Sequence, residues 1–430
     1  MRGLMKLPQI VASIAFIALA FAPSSFGVAQ DLAVFKRTAL ESITKGSGVA
    51  SKNIETTLVL SLVRILEKRP DEALKGIDSI IAENPNFRLA YLIKGDLLLA
   101  RSRAISTLGN TNKAGTAVED MRQEAKARLD RYLHSPPLDL VPRQILQMSP
   151  DQPYALLVDT ARSRLYVYQN KNGEPRYITD YYISSGKNGA EKVREGDQKT
   201  PIGVYHVVST LPKSKLTDFY GPGAFPISYP NEWDQREGRN GHGIWLHGTP
   251  SDTYSRPPRS SNGCVVLANQ DLIEVSRYLR IGSTPVIISS KAEWVDSAKW
   301  QAERNKILAT LENWKRDWES RDIDRYLSHY HKHFTSEGRN LASWATQKRA
   351  VNAAKTDIRV DLSNVSVFTY PGYENMVVVS FEQSYKSNNL AGQMKKRQYW
   401  LRDGNRWQIV YEGSVDAQPS TAPPTLTAQR

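Results

Sequence analysis

The chain has 430 residues, 40% hydrophobic and 23% charged, with a formal net charge of +13 and one cysteine. A single thiol excludes an internal disulfide framework and a cysteine-rich zinc module, and the length allows several ordinary domains. The positive residues are scattered without a nucleic-acid-binding module, so nucleic acid is set aside as a partner in favour of an anionic surface or polymer such as a cell wall.

Arg2 and Lys6 precede an apolar run from Ile10 to Ala22, and Gly27-Val28-Ala29 supplies small residues for cleavage. Residues 1–29 therefore read as a signal peptide, which places the mature protein in the periplasm. The run falls short of the roughly 20 residues a spanning helix needs, so no mature transmembrane span is expected. An unpaired thiol in an oxidising compartment calls for a chemical reason.

Residues 30–150 read as a helical region. Apolar residues recur on helical faces in Ile54–Val63, Glu72–Ile81 and Leu89–Leu97, with Asn84-Pro85-Asn86 as a break. Beyond a polar loop at Ser106–Thr116, a charged helix spans Val118 to Leu133 and stops at Ser135-Pro136-Pro137. The helix, Asn-Pro turn and helix resemble a tetratricopeptide hairpin, which implies either a docking surface for another envelope protein or a plain spacer.

The period changes to strands from Tyr154. Ala155–Asp159 and Arg164–Tyr168 form a hairpin pattern, followed by short strands at Ile178–Ser184, Gly203–Ser209, Gly243–His247 and Pro285–Ile288, with one helix at Asn269–Tyr278. This is a mainly-β domain over 151–290. A linker helix and an α+β domain follow over 291–414. Trp294, Trp300, Ile307, Leu311, Trp314 and Trp318 recur at helical spacing, and Tyr326, Tyr330 and Phe334 continue it. Strands then read at Asp357–Thr369, Asn375–Tyr385, Met394–Arg402 and Arg406–Glu412, with a hairpin turn at Asp403-Gly404-Asn405. His329, His331 and His333 read as a polar helix end, and no metal or other cofactor is expected. The tail 415–430, rich in Pro, Thr, Gln and Ala, reads as disordered.

Cys264 lies seventeen residues after His247. An imidazole within loop reach of a lone thiol suggests a nucleophile and its base; the alternative is a small buried hydrophobe. An imidazolium on His247 would lower the thiol pKa, and the amides of Gly263 and Cys264 are candidate oxyanion donors. Asn262 is a side-chain donor or a turn former. Arg256, Arg259, Ser261 and His242 are candidate substrate contacts, the arginines through their planar donor forks.

His247-Gly248, then Ser261, Gly263, Cys264 and Val265, resemble the signature of the L,D-transpeptidase catalytic domain, the YkuD family of exported cysteine enzymes that remodel peptidoglycan. Ser184-Ser185-Gly186-Lys187 and Thr200-Pro201-Ile202-Gly203-Val204-Tyr205 match further segments in order, over about 154–289. The resemblance implies that Cys264 attacks the third residue of a stem peptide and that the Gly248 carbonyl orients His247. Two positions depart from the pattern: Asn262 replaces a histidine, and Val266 stands where arginine or asparagine is common.

Residues 305–414 resemble the nuclear-transport-factor-2-like (NTF2-like) superfold, whose cone either holds a ligand or fills its core with aromatics. A YkuD-like domain followed by this cone is similar to L,D-carboxypeptidases that trim cell-wall tetrapeptides. The reading from sequence is nevertheless a transpeptidase making 3-3 crosslinks, because the catalytic motifs match more strongly than the whole architecture. The alternatives are the carboxypeptidase, with water as acceptor, and a non-catalytic wall scaffold.

Overall fold

A computed structural model describes residues 52–415 except 68, 104, 106, 111–114 and 134–138. The signal peptide, part of the polar loop, the Pro136-Pro137 stop and the tail beyond 415 lie outside the described residues. Four helices open the described chain: α1 Lys52–Leu66, α2 Pro70–Glu83, α3 Arg88–Leu99 and α4 Thr116–Leu133. Pro70 suits the first turn of α2, where its missing N–H costs no hydrogen bond, and Asp71 and Glu72 face the positive end of the helix dipole. Leu58, Ile77, Phe87 and Ile93 join these helices in one core. Among the described residues, no helix is long and apolar enough to cross a membrane.

The sequence placed no strand before Tyr154, yet β1 (Val141–Pro142) and β2 (Ile145–Gln147) are strands. At two and three residues they are too short to show alternation. The mainly-β domain contains β3 (Tyr154–Asp159), β4 (Arg164–Lys171), β5 (Glu174–Tyr182), β6 (Ser185–Gly186), β7 (Gly203–His206), β8 (Leu211–Pro212), β9 (Gly223–Pro226), α5 (Glu232–Arg236), β10 (Trp245–His247), β11 (Arg259–Ser261), β12 (Val265–Val266), α6 (Asn269–Ser276) and β13 (Pro285–Ser289). One sheet runs β5-β4-β3-β13-β7 and another β12-β10-β9-β8. Leu156, Val167, Ile288, Leu246 and Val265 meet in the core between them.

The C-terminal domain comprises β14 (Trp294–Val295), α7 (Ser297–Glu319), α8 (Ile323–Ser328), β15 (Tyr330–Ser336), β16 (Arg339–Asn340), α9 (Leu341–Ala353), β17 (Ile358–Thr369), β18 (Met376–Ser387), β19 (Leu390–Asp403) and β20 (Arg406–Ser414). Its sheet order is β16-β15-β20-β19-β18-β17-β2, so β2, from before the mainly-β domain, completes its edge. β1 likewise pairs with β14, and the chain around residues 141–147 is therefore stitched to the C-terminal domain.

Two helical expectations need correction. Tyr330 and Phe334 lie on β15, because α8 ends at Ser328 and a spacing of four is even, which puts both residues on one face of a strand as readily as of a helix. Consequently His331 and His333 are strand residues, and only His329 caps a helix, its Nε2 lying 2.8 Å from Asp317. Trp294 belongs to β14, since the Asp296 carboxylate accepts from the Lys299 N–H and starts α7 beyond it. The sequence also missed α9, which buries only Trp344 and so carries almost no apolar stripe.

Both flanking regions grip the mainly-β domain through buried charge. Arg164 on β4, 1% exposed, pairs with Glu55 of α1 and Asp180 of β5, while Arg131 of α4 reaches Asp180 at 2.9 Å. On the other side Glu232 of α5 accepts two hydrogen bonds from Arg397 of β19 at 3.0 Å, and Trp233 stacks on Tyr399.

Candidate active site

β10 and β12 run parallel, with Leu246 opposite Val265 and His247 opposite Val266. Leu246 and Val265 fill the core, so strand alternation sends Trp245 and His247, and Cys264 just before β12, to the opposite face. The backbone N–H of Trp245 is directed at the Cys264 sulfur, which lies 3.4 Å from the Gly243 carbonyl oxygen.

The loop before the cysteine is fixed by its own hydroxyl. Ser261 Oγ accepts from the Gly263 N–H at 3.1 Å and donates to the Cys264 carbonyl at 2.6 Å. Gly263 has φ +124°, and a Cβ there would stand 2.7 Å from the Lys199 carbonyl oxygen, so both backbone conformation and space require glycine.

His247 is 2% exposed, and its Nδ1 lies 2.7 Å from the Gly248 carbonyl oxygen. A carbonyl can only accept, so Nδ1 carries the proton and Nε2 keeps a lone pair for use as a base. A Cβ at Gly248 would run into Asn269 Oδ1 and stand 2.7 Å from Pro222 Cδ. Tyr220 meets the imidazole edge-on at 5.0 Å between centroids, with Phe219 beside it at 5.9 Å.

Burial pushes the Cys264 thiol up to about 11, against smaller lowering by the Trp245 N–H and the charges of Arg256 and Lys192. Burial also takes His247 down to about 4; the Gly248 hydrogen bond opposes this and Arg256 adds to it. The expected imidazolium that lowers the thiol pKa is thus replaced by a neutral pair, because desolvation disfavours both charged forms.

The other expected site residues divide. The Gly263 amide is engaged by Ser261, so of the two candidate oxyanion donors that of Cys264 remains. Ser261 is buried and its hydroxyl holds the loop, which corrects its expected role as a substrate contact. His242 is exposed and its Nδ1 lies 3.4 Å from the Glu195 carboxylate. Asn262 and Arg259 are exposed, the latter on β11. Arg256 is half-buried, its guanidinium 4.4 Å from the centre of the Phe219 ring, and among the described residues that guanidinium has no hydrogen-bond or ion-pair partner.

Sequence reasoning missed Phe219, Tyr220, Lys192 and Asn269. Lys192 is 4% exposed and bonds Asp197 at 2.8 Å, and Asn269 Oδ1 accepts from the Thr249 N–H at 2.8 Å. The one legible signal was the aromatic pair Phe219-Tyr220 ahead of Gly221-Pro222-Gly223, a turn able to aim rings at a site.

A cavity of about 240 Å³ lies far from this chemistry, in the C-terminal cone. Trp318, Tyr326 and Tyr385 wall it, together with Lys348, Lys355 and Lys396. Lys396 pairs with Glu412 at 2.6 Å, while burial and then Lys396 bring Lys348 down to about 8. The aromatic residues of this domain therefore both fill a core, as Trp314 does, and line a concave site.

Two family models match the chain: the L,D-transpeptidase catalytic domain, YkuD, over residues 153–288, and the Cds6 C-terminal NTF2-like domain over residues 306–413. Among solved structures, Bdellovibrio bacteriovorus Bd1075 is 30% identical with a TM-score of 0.58, the match covering 98% of that chain and 64% of this one. The chain belongs to the YkuD family. Its YkuD domain is followed by an NTF2-like domain, as the two family models require. The helical cell shape determining protein Pgp2 from Campylobacter jejuni is 29% identical with a TM-score of 0.54, over 94% of that chain and 63% of this one. No curated protein matches the chain.

Proposed function

We propose that this YkuD protein is a periplasmic L,D-carboxypeptidase that trims tetrapeptide stems of peptidoglycan to tripeptides. The observation that carries this reading is the shared architecture: YkuD and NTF2-like domains together account for nearly the whole of relatives that include a cell shape determining protein. The preference for transfer rested on the architecture being the weaker match, and that ground is gone. Transfer to an amine stands second, favoured by the description of the matched catalytic domain as an L,D-transpeptidase.

The Cys264 sulfur attacks the carbonyl carbon of residue three while Nε2 of His247 takes the thiol proton. The developing oxyanion is met by the Cys264 amide, a type of contact worth roughly 3 kcal/mol in a transition state. The bond to D-alanine breaks as His247 returns the proton to the leaving nitrogen, giving a thioester. Water, deprotonated by the same Nε2, then attacks the thioester; the tripeptide acid leaves and the sulfur regains its proton. Arg256, a half-buried cation with its donor fork open, suits the terminal carboxylate of D-alanine.

Purified protein should release D-alanine from tetrapeptide muropeptides. Cys264→Ala should abolish the release and His247→Ala should slow it by about a hundredfold or more, the scale of general-base catalysis. D-alanine release that persists undiminished in Cys264→Ala would contradict the assignment.

A further inference from the structure

The loop from Thr249 to Arg256 leaves the site at Gly248 and returns to it at Arg256, and along the way it is held by the N-terminal helical region. Tyr254 packs its ring 4.4 Å from Phe87, within the helical core. Ser255 donates its hydroxyl to Glu124 of α4 at 2.6 Å, and Asn86 in the α2–α3 turn donates to the Ser251 carbonyl at 3.1 Å. The Arg256 carbonyl accepts from the Tyr182 hydroxyl at 2.9 Å, and the Arg128 guanidinium of α4 lies over that tyrosine ring at 4.1 Å.

The same grip extends to the platform beneath Arg256. Ser251 donates both its N–H and its hydroxyl to Asp218 at 2.9 Å, which fixes the turn carrying Phe219 and Tyr220. Arg256 then stacks on Phe219, and Phe219 borders His247. The guanidinium is thus positioned by its backbone and by stacking, with no anion among the described residues holding its nitrogens. Both family-model matches begin after residue 152, so these helices lie outside the matched domains.

We propose that the N-terminal helical region is a positioning clamp: through Ser255–Glu124, Tyr254–Phe87 and Asn86–Ser251 it holds Arg256 beside the Cys264 thiol to receive the anionic end of the substrate. Ser255 and Tyr182 are positioning residues that act through Arg256. The proposal rests on the reading of Arg256 as the carboxylate-recognising group, and its test requires no turnover of any peptide.

The test compares the rates at which Cys264 in the intact protein is alkylated by iodoacetate, an anion, and by neutral iodoacetamide at one pH. Arg256→Gln should lower the iodoacetate-to-iodoacetamide ratio by about fivefold, the scale of one partly exposed ion pair. Ser255→Ala and Tyr182→Phe, each the loss of one hydroxyl, should move the ratio toward that of Arg256→Gln while the iodoacetamide rate stays within about twofold of the parent. Ser255→Thr, which keeps the hydroxyl, should retain the parent ratio. A drop in Arg256→Gln with no change in the hydroxyl variants would overturn the clamp, and no drop in Arg256→Gln would remove Arg256 from the thiol altogether. Absence of carboxypeptidase activity would leave this readout intact, so failure of the clamp and failure of the assigned reaction are distinguishable.

Discussion

Burial disfavours the charged form of Cys264 and that of His247, and this sets how the thiol responds to pH. With the thiol pushed up to about 11 and the imidazole down to about 4, the neutral pair prevails between those values. In the proposed mechanism the thiolate forms only as His247 takes the proton during attack. In the free protein, the rate of alkylation by iodoacetamide should rise by about tenfold per pH unit from 7 to 10, following the thiolate fraction. A plateau below pH 8 would mean a preformed thiolate–imidazolium pair. Both residues stood out as candidates in the sequence because a lone cysteine follows a histidine within loop reach. Phe219, Tyr220 and Lys192 were not, since ordinary residue types from separate loops acquire their meaning only when the chain folds. Gly263 was misread for a related reason: which way an amide points depends on Ser261 closing the turn.

At the scale of elements, α1 and α4 are joined to β4 and β5 by a buried ionic cluster. Burial alone would raise the Asp180 carboxyl, but Arg164 and then Arg131 hold it well below the usual range; Glu55 is lowered in the same way by Arg164 and Arg128. Removing a single member leaves the others charged and unpaired in a low dielectric. Arg164→Ala should therefore cost about 3–5 kcal/mol in urea unfolding, whereas a loss under about 1 kcal/mol would show that the cluster carries no net electrostatic cost when broken. The depressed carboxylates contribute stability that is complete above about pH 5 and lost as pH falls toward their folded pKa values. None of this cluster was readable from sequence, because Glu55 and Asp180 look like any helix or strand charge until 125 residues of separation are closed. Long strands β17 to β20 were legible together with the turn read at Asp403-Gly404-Asn405, of which Asp403 proves to be the last residue of β19. By contrast, β15 hid behind a spacing that helix and strand share.

Across the whole molecule, the helical, mainly-β and α+β order is legible in the sequence, but the way the parts interlock is not. β2 leaves the start of the chain to complete the C-terminal sheet, and α5 of the YkuD domain carries Glu232 and Trp233 onto that sheet. The NTF2-like domain is thereby joined to the domain that carries Cys264, and its lysine-lined cavity opens on a separate part of the same body. In the proposed reaction water, rather than the amine of a second stem, resolves the thioester on Cys264. Its most direct measurement is mass analysis of all products when the mature protein is incubated with purified tetrapeptide muropeptides and an excess of acceptor stems. The account predicts tripeptide and D-alanine in equal amounts, dependent on Cys264, with no 3-3 dimer. Crosslinked dimers that form in a Cys264-dependent manner and grow with acceptor concentration would contradict it and make the protein a transpeptidase.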